Sequence, residues 1–312
     1  MNWLEYSRTL MRKKQWYTDF RRWQREGFLR AYFRRQLWRK ILSSSPIRTA
    51  SSGTYPVEVH LLCHRLDYLP AIWSLKSFYK AAKVDFPLVI HINGAASQNL
   101  YRRLAEHFPN AKLVPQAVAD KQVEDHLKGC GWNRLLKARR ASPFMMKLTD
   151  FSLIANAFIV LAIDSDVLFF LPPKELINWC NRPTKGYLFQ TDPTTNYNIT
   201  FKEAADTFGI QLKPQINTGI MAYCKDTPDF ASFNEYLCDP GVNTSNGFIE
   251  QTLYAIHASH IGFELLPESK YVISLKAGSP YAGIVARHYA GPSRNLMTSE
   301  GIPFLQNNNI IK

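Results

Sequence analysis

Apolar and polar positions follow two different periods along the chain, and the changes of period predict where strands and helices lie. From residue 57 onward, short apolar runs bounded by turn residues alternate with longer segments whose apolar residues recur every three or four positions. Strands are predicted over 57–63, 87–93, 111–114 and 159–170, and helices over 69–83, 98–107, 121–137 and 143–153. This alternation predicts an α/β fold with a mostly parallel sheet and helices on both faces.

The second half continues the pattern less regularly. Helices are predicted over 174–180, 230–238 and 248–257, and strands over 186–191, 220–224 and 283–289. The strand at 220–224 follows Asn217-Thr218-Gly219, a triad typical of a turn. Ligands of such sheets gather at the carboxyl ends of the strands, so polar residues at those ends are candidates for the functional site.

The first 42 residues have a different pattern. Trp16, Phe20 and Trp23 recur at helical spacing, as do Leu29, Phe33 and Leu37, which predicts two short amphipathic helices separated by Gly27. The sequence therefore divides into a basic, aromatic helical extension (1–45), a small polar linker (46–54) and an α/β domain (55–312).

Charge is concentrated in the same region. Residues 1–50 contain thirteen lysines and arginines and three acidic residues, so they hold +10 of the chain's net charge of +13. Basic helices with large apolar residues suit the surface of an anionic membrane. Docking on the α/β domain or on a partner helix is a second interpretation. Binding of nucleic acid is a third, which the sequence supports least because clustered aromatic residues favour burial over contact with phosphates.

Composition narrows the class of protein. The chain has 312 residues, of which 46% are hydrophobic, which excludes wholesale disorder. Its five cysteines include no C-x-x-C pair, as expected of a reducing compartment. No uninterrupted apolar run is long enough to span a bilayer. We expect a cytoplasmic protein, peripheral at the inner membrane face where the basic helices bind lipid.

Two carboxylates interrupt the most apolar stretch of the chain, IVLAIDSDVLFF, at Asp164 and Asp166. On a continuous strand they would share a face, because side chains alternate with a period of two. Two acids beside a buried strand are costly unless a cation compensates them, and hard oxygen ligands suit Mg²⁺ or Mn²⁺. The alternative is a pair of solvated acids at the end of a strand.

Other polar residues remain ambiguous when each is taken alone. Lys147, on the helix before the acidic pair, is either a surface lysine or a cation that reaches donor phosphates. Asn217-Thr218-Gly219 is either a plain turn or a point of close approach to a ligand. Glu250 precedes Gln251 near the start of a helix, where an acid is favoured anyway.

Taken in order, these features and the segment His288-Tyr289-Ala290-Gly291-Pro292-Ser293-Arg294 resemble the GT-A fold of nucleotide-sugar glycosyltransferases. The similarity is greatest to the retaining family 8 type, which includes glycogenin and bacterial galactosyltransferases, and it covers residues 57–294. That family has an Asp-x-Asp motif and a later H-x-G-x-x-K motif. Here His288 and Gly291 match in order, with two residues between them instead of one (His288-x-x-Gly291-x-x-Arg294), and Arg294 replaces the lysine with a group that can bind phosphate bidentately.

The resemblance implies a role for each matching residue. Asp164, Asp166 and His288 would bind Mn²⁺, or Mg²⁺, that bridges the donor diphosphate. The residues expected to bind the donor are Lys147, Ser165, Asn217, Gly219, Gly291 and Arg294. Gln251 would lie nearest the reacting face, and Asp192 and Glu250 are both available as the acceptor base. The family usually has Asp-Gln where this chain has Glu250-Gln251.

The function implied is a metal-dependent glycosyltransferase that moves a sugar from a nucleotide-sugar donor, a UDP-sugar, to a hydroxyl of a saccharide, a lipid-linked or a protein acceptor, with retention of configuration. Two alternatives remain open. A nucleotidyltransferase on the same sheet would need a glycine- and lysine-rich loop after the first strand, and His64-Arg65-Leu66-Asp67 does not provide one. A catalytically inactive scaffold would bind membrane or nucleic acid through residues 1–50.

Overall fold

The computed structural model describes residues 28–51, 53, 55–184, 186–242, 247–273 and 276–311. The chain separates into two compact units, Met1–Ser43 and Ser44–Lys312. In the first unit, helix α1 spans Phe28–Lys40 and a 3₁₀ turn follows at Ile41–Ser43. The first of the two predicted N-terminal helices lies outside the described residues.

The second unit alternates strands and helices, as the sequence pattern predicts. Its first half contains β1 (Val57–His64), α2 (Tyr68–Ala82), β2 (Leu88–Asn93), α3 (Gln98–His107), β3 (Lys112–Pro115), α4 (Gln116–Gly129), α5 (Asn133–Ala141), α6 (Met145–Ile154) and β4 (Ile159–Ile163). The segment predicted as helical over 121–137, with an interruption at Gly129 and Gly131, is two helices, because the chain turns at Gly129–Gly131, where Gly131 has a positive φ of 74°.

The second half is less regular. It contains β5 (Val167–Phe169), α7 (Lys174–Asn181), β6 (Tyr187–Thr191), α8 (Phe201–Phe208), β7 (Ile216–Cys224), α9 (Phe230–Tyr236), α10 (Ile249–Ile261), β8 (Phe263–Leu265), β9 (Tyr271–Ile273) and β10 (Ala286–His288). A helical segment closes the described chain, with a 3₁₀ turn (Gly291–Ser293), α11 (Arg294–Leu296), a π-helical turn (Met297–Gly301) and α12 (Ile302–Asn307). Helix α8, strands β8 and β9 and this terminal segment were not predicted.

The strands form a mixed seven-stranded sheet in the order β3-β2-β1-β4-β7-β6-β8 and a three-stranded sheet in the order β5-β10-β9. In the large sheet β1 to β4 are parallel, and β7 runs antiparallel to its neighbours β4 and β6. Nearly every residue of β1, β2, β4, β6 and β7 is buried, so both faces of the sheet are covered. The predicted mostly parallel mixed α/β fold is confirmed.

Residues 44–50, which include part of the predicted linker, are bound to the second unit. The Lys76 ammonium donates hydrogen bonds to the carbonyl oxygens of Ser44 (3.2 Å) and Ser45 (2.7 Å). The backbone N–H of Ile47 donates to the His107 carbonyl, and that of Ala50 to the Asp85 carbonyl. These hydrogen bonds hold Ser44, Ser45, Ile47 and Ala50 in place against the helices and loops of the second unit.

Four histidines are buried in the second unit as neutral side chains. His60 and His91 are fully buried on adjacent strands, and His107 and His257 are at most 5% exposed. Burial lowers the pKa of each imidazole, to about 4 for His107 and His257. In the described part of the chain neither ring nitrogen of His107 has a hydrogen-bond partner.

We expect acid to destabilise the protein partly through these histidines. The unfolded chain takes up protons near pH ~6.5, whereas the folded imidazoles do so only at lower pH, so their contribution is present above ~6.5 and is lost as pH falls towards the folded pKa. His107→Leu should flatten the decline in unfolding free energy between neutral pH and pH ~5, as measured by urea denaturation. His260→Leu, at an exposed position, is the control; equal declines in wild type and His107→Leu would contradict this reading.

Candidate active site

Asp164 and Asp166 lie in a turn that joins the two sheets. The run predicted as one strand over 159–170 is broken: β4 ends at Ile163 in the large sheet and β5 begins at Val167 in the small one. The two carboxylates are therefore brought together by a turn and not by strand alternation. Apolar runs on both sides hide this break in the sequence, because strands of both sheets are buried.

Neighbouring elements fix this turn. The Asp164 N–H donates to the carbonyl of Gly219 on β7 (2.8 Å), and the Asp164 carbonyl accepts from the hydroxyl of Ser74 on α2 (2.9 Å). The Asp166 carbonyl accepts from the N–H of Tyr289, directly after β10 (2.9 Å). The carboxylates thus emerge at the carboxyl edge of the parallel strands, where ligands of such sheets bind.

His288, the last residue of β10, meets both carboxylates. Its Nε2 lies 3.3 Å from Asp166 Oδ1 and 4.0 Å from Asp164 Oδ2. One ligand atom from each residue falls in a group whose members are all within 4.8 Å of one another. Burial opposes protonation of His288, but Asp166 and Asp164 outweigh it and raise the pKa of the imidazole. The structure therefore joins residues separated by more than a hundred positions in the sequence.

The three side chains fit a divalent metal ion. Two ligands of one ion at about 2.1 Å can be up to about 4.2 Å apart, and the distances from Nε2 to the two carboxylates fall within that limit. The two carboxylate oxygens suit Mn²⁺ or Mg²⁺, and the imidazole nitrogen favours a transition-metal ion such as Mn²⁺. An ion there would replace the proton that the carboxylates favour on Nε2.

Lys147 is buried at the centre of the site. It lies one turn inside α6, and its ammonium is 2.9 Å from Asp164 Oδ1 and 3.7 Å from Glu250 Oε1. It also donates to the Thr218 carbonyl (3.0 Å). Burial disfavours the charged form, but Asp164 and Glu250 outweigh it and raise the pKa of Lys147. Of the two readings of Lys147, the structure excludes the exposed surface lysine.

Glu250 is 3% exposed and lies in the first turn of α10. Its Oε2 accepts a hydrogen bond from the Thr218 hydroxyl (3.0 Å), while Oε1 has no hydrogen-bond partner among the described residues. Burial raises the pKa of this carboxyl to about 7, against the opposing effect of Lys147. A group with such a pKa can exchange a proton near neutral pH.

Arg294 approaches the acidic pair from the C-terminal helical segment. Its Nε lies 3.3 Å from Asp166 Oδ2, Nη1 donates to Asp67 Oδ1 (3.2 Å) and Nη2 donates to the Ser165 hydroxyl (3.2 Å). The side chain is 40% exposed, so the guanidinium is anchored and still accessible. Gly291, in the turn that leads from His288 to Arg294, has a positive φ of 53°, a backbone conformation that glycine adopts readily.

Asn217, Thr218 and Gly219 belong to strand β7 and do not form the turn predicted before it. The pairing of β7 with β6 is irregular there: Phe189 pairs with Met221, but Gln190 pairs with Asn217. The extra residues on β7 form a bulge, and bulges re-aim side chains beside functional sites. A polar triad that contains glycine is typical of turns and also occurs at bulges, so the sequence predicted a turn here.

Asp192 and Gln251 meet at Asn217. The Asn217 amide nitrogen is 3.3 Å from Asp192 Oδ2 and 3.4 Å from Gln251 Oε1. Asp192 Oδ1 also accepts from the Thr194 N–H (2.9 Å), and Gln251 donates to the Asn196 carbonyl (3.0 Å). Asp192, Asn217 and Gln251 therefore form one connected group of polar contacts.

Four residues of this site carried no assigned role in the sequence: Ser74, Asp67, Gln190 and Thr218. Gln190 follows the apolar part of a buried strand, so nothing local distinguishes it from a structural glutamine. Thr218 and Asp67 were each visible in a polar segment, but their partners Glu250 and Arg294 are distant in sequence. Only the tertiary structure supplies those pairings.

No family model and no curated protein sequence matches the chain. Several solved structures are similar to it in fold. Mouse xyloside xylosyltransferase 1 superposes with a TM-score of 0.52 at 12% identity, over 78% of this chain and 97% of that one. The galactosyltransferase LgtC, solved with donor and acceptor sugar analogues, gives 0.51 at 13% identity, over 82% and 96%.

The bifunctional glycosyltransferase WbbM gives a TM-score of 0.50 at 14% identity, over 80% of this chain, which spans only 50% of that larger protein. Identities this low establish the fold alone. The chain has the GT-A fold of glycosyltransferases, as the order of its motifs predicts.

Gly219 permits the close approach of His288, which gives a direct test of the metal group. A Cβ atom at position 219 would overlap Cε1 and Nδ1 of His288 and lie 2.9 Å from Asn217 Oδ1. Strands β7 and β10, which carry Gly219 and His288, are both fixed by hydrogen bonds. We therefore expect Gly219→Ala to displace the imidazole and to lower the Mn²⁺ affinity by at least ~10-fold in calorimetric titrations. Gly129→Ala, where a Cβ meets nothing within 4 Å, is the control. Unchanged Mn²⁺ binding in Gly219→Ala would show that His288 is not a ligand.

Proposed function

We propose that the protein is a metal-dependent glycosyltransferase that moves a sugar from a UDP-sugar to a hydroxyl acceptor, with retention of configuration. The observation that carries the proposal is the convergence of Asp164, Asp166 and His288 at the carboxyl edge of a glycosyltransferase fold. The UDP-sugar and the retention rest on the sequence resemblance to the family 8 type. The acceptor class stays open among a saccharide, a lipid-linked saccharide and a protein.

Mn²⁺, or Mg²⁺ in its place, would be held by Asp164 Oδ2, Asp166 Oδ1 and His288 Nε2. When bound, it would neutralise the negative charge that develops on the departing diphosphate. Arg294, accessible and 3.3 Å from Asp166, is placed to hold a phosphate beside those ligands. Lys147 is buried between Asp164 and Glu250, so its contribution is to hold these carboxylates in place and to compensate their charge.

Asp192, Glu250 and Gln251 would line the pocket for the transferred sugar and the acceptor hydroxyl. Glu250 has a carboxylate oxygen without a hydrogen-bond partner among the described residues, and its pKa is raised to about 7, which suits proton transfer at neutral pH. Asp192 is held by Thr194 and Asn217, which keeps its carboxylate oriented. Gln251 is an amide, so it orients the substrate and is a poor nucleophile.

Replacement of one metal ligand should abolish activity and leave the fold intact. Asp166 is 9% exposed, and burial opposes its ionisation, but His288 and Arg294 outweigh burial and lower its pKa. We expect Asp166→Asn to reduce Mn²⁺-dependent hydrolysis across a panel of UDP-sugars by about 100-fold or more, beyond the 10- to 100-fold typical of outer-shell changes. Circular dichroism should show an unchanged fold.

Asp206→Asn, at an exposed position on α8, serves as the matched control and should behave like wild type. No hydrolysis and no binding of any nucleotide sugar by wild-type protein would overturn the proposal. Consumption of a nucleoside triphosphate with release of pyrophosphate would instead favour a nucleotidyltransferase.

We also propose that α1 places the enzyme at an anionic membrane surface on the cytoplasmic side. The helix contains five basic residues and no acidic one. Each Lys or Arg near an anionic membrane surface contributes about 1 kcal/mol to binding, so the charge of the helix supports this proposal. Only Ile41–Ser43 separates α1 from Ser44, the first residue anchored by Lys76. No helix in the described part of the chain is long and apolar enough to cross a bilayer.

Charge reversal at the exposed end of α1 tests membrane binding. Arg35, Arg39 and Lys40 are exposed. In vesicle sedimentation the wild-type protein should bind phosphatidylcholine vesicles that contain phosphatidylglycerol, lose this binding as salt is raised, and ignore vesicles of phosphatidylcholine alone. The triple change of these residues to Glu should abolish binding while UDP-sugar hydrolysis persists. Binding that survives the triple change, or a stronger preference for nucleic acid than for lipid, would contradict the membrane proposal.

A further inference from the structure

The two ring nitrogens of His288 face different partners. Nε2 points to the carboxylates of Asp164 and Asp166. On the other side, Nδ1 lies 3.1 Å from Asn217 Oδ1 and 3.2 Å from Gln190 Oε1. Both of these neighbours are amide oxygens, which only accept hydrogen bonds.

The orientations of the two amides follow from their other contacts. The Gln190 nitrogen is 3.3 Å from the Tyr271 carbonyl, and the Asn217 nitrogen faces Asp192 Oδ2 and Gln251 Oε1. Each of these groups is an acceptor, so each amide must turn its NH₂ towards them and its oxygen towards His288. Nδ1 therefore carries a hydrogen in every protonation state, and the neutral ring keeps its lone pair on Nε2, towards the carboxylates.

Asn217 has no hydrogen-bonding capacity left over. Its oxygen accepts from the Gly219 N–H (2.9 Å) and from His288 Nδ1, and its two N–H groups meet Asp192 and Gln251. An amide side chain offers two donors and two lone pairs, so all four are used. The side chain is 8% exposed, which leaves no polar edge for a sugar hydroxyl.

We propose that Asn217 and Gln190 are positioning residues that fix the ring of His288 for the metal, and that Asn217 couples this ring to Asp192 and Gln251. The inference rests on the proposed glycosyltransferase function, and it replaces the sugar-binding role that the resemblance gave to Asn217. The bulge in β7 makes the coupling possible, because it places Asn217 opposite Gln190 on β6. A displacement of His288 would then also move Asp192 and Gln251, the two candidate catalytic side chains that contact Asn217.

Substitutions can separate the contacts of the Asn217 oxygen with His288 from those of its nitrogen with Asp192 and Gln251. Asn217→Ala removes both sets of contacts and should lower the Mn²⁺ affinity about 10- to 100-fold, as outer-shell changes do. Asn217→Asp keeps an oxygen for His288 and for the Gly219 N–H, but it puts a carboxylate against Asp192 and Gln251. The Mn²⁺ affinity of this variant should differ from that of wild type by less than about 10-fold. Its rate of UDP-sugar hydrolysis should fall by about 100-fold or more.

Gln190→Leu removes one of the two acceptors of Nδ1 and should lower Mn²⁺ affinity less than Asn217→Ala does. Gln211→Leu, at an exposed position, controls for loss of a glutamine. The affinities are measured by calorimetric titration of the full chain with Mn²⁺ alone, and hydrolysis is measured with saturating Mn²⁺. A purely structural role would lower both quantities in parallel in all variants.

Wild-type Mn²⁺ affinity in Asn217→Ala would overturn the positioning role. Absence of Mn²⁺ binding by wild-type protein would overturn the proposed function instead, and the positioning role would then be decided by ¹⁵N chemical shifts of the neutral His288 ring. The wild type should show a single Nδ1–H tautomer, and Asn217→Ala combined with Gln190→Leu should show a mixture. A mixture already present in the wild type would contradict the inference.

Discussion

The ion pair between Lys147 and Asp164 is the interaction on which the candidate site depends. Four acidic side chains, Asp164, Asp166, Asp192 and Glu250, meet in a region that is largely shielded from water. Charges removed from water are costly unless opposite charges and hydrogen bonds compensate them. Lys147 compensates Asp164 and Glu250, and Arg294 compensates Asp166 from the outer side. Asp166 and Asp164 also raise the pKa of His288 against the effect of burial, so they favour a further positive charge there.

The close grouping of these acids has a structural cause. The acidic turn lies where β4 of the large sheet passes into β5 of the small one, and β7 and β10 close around it. The antiparallel strand β7 brings Asn217 and Gly219 against His288, which would clash with any side chain at position 219. The same arrangement that makes a metal site sterically possible also links it to the pocket lined by Asp192 and Gln251.

The alternation of strands and helices up to β4 is visible in the sequence because buried strands leave strong local signals. Asp164 and Asp166 are visible as charged interruptions of an apolar run, but only the family resemblance grouped them with His288, more than a hundred positions later. The turn at 164–166 and the bulge at Asn217 were not visible, since buried residues on either side mask a break in a strand. Lys147 also contacts Thr218 and Glu250, and Gln190 contacts His288; these partners are more than 70 positions away, and no local pattern encodes them.

The affinity of the protein for UDP, measured by calorimetry with Mn²⁺ and then with a chelator, tests the account most directly. If Asp164, Asp166 and His288 hold an ion that neutralises the diphosphate, Mn²⁺ should strengthen UDP binding by at least about 10-fold, which is about 1.4 kcal/mol. The same gain should be absent when His288 is replaced by Ala. UDP binding of equal strength with Mn²⁺ and with chelator would contradict the central claim.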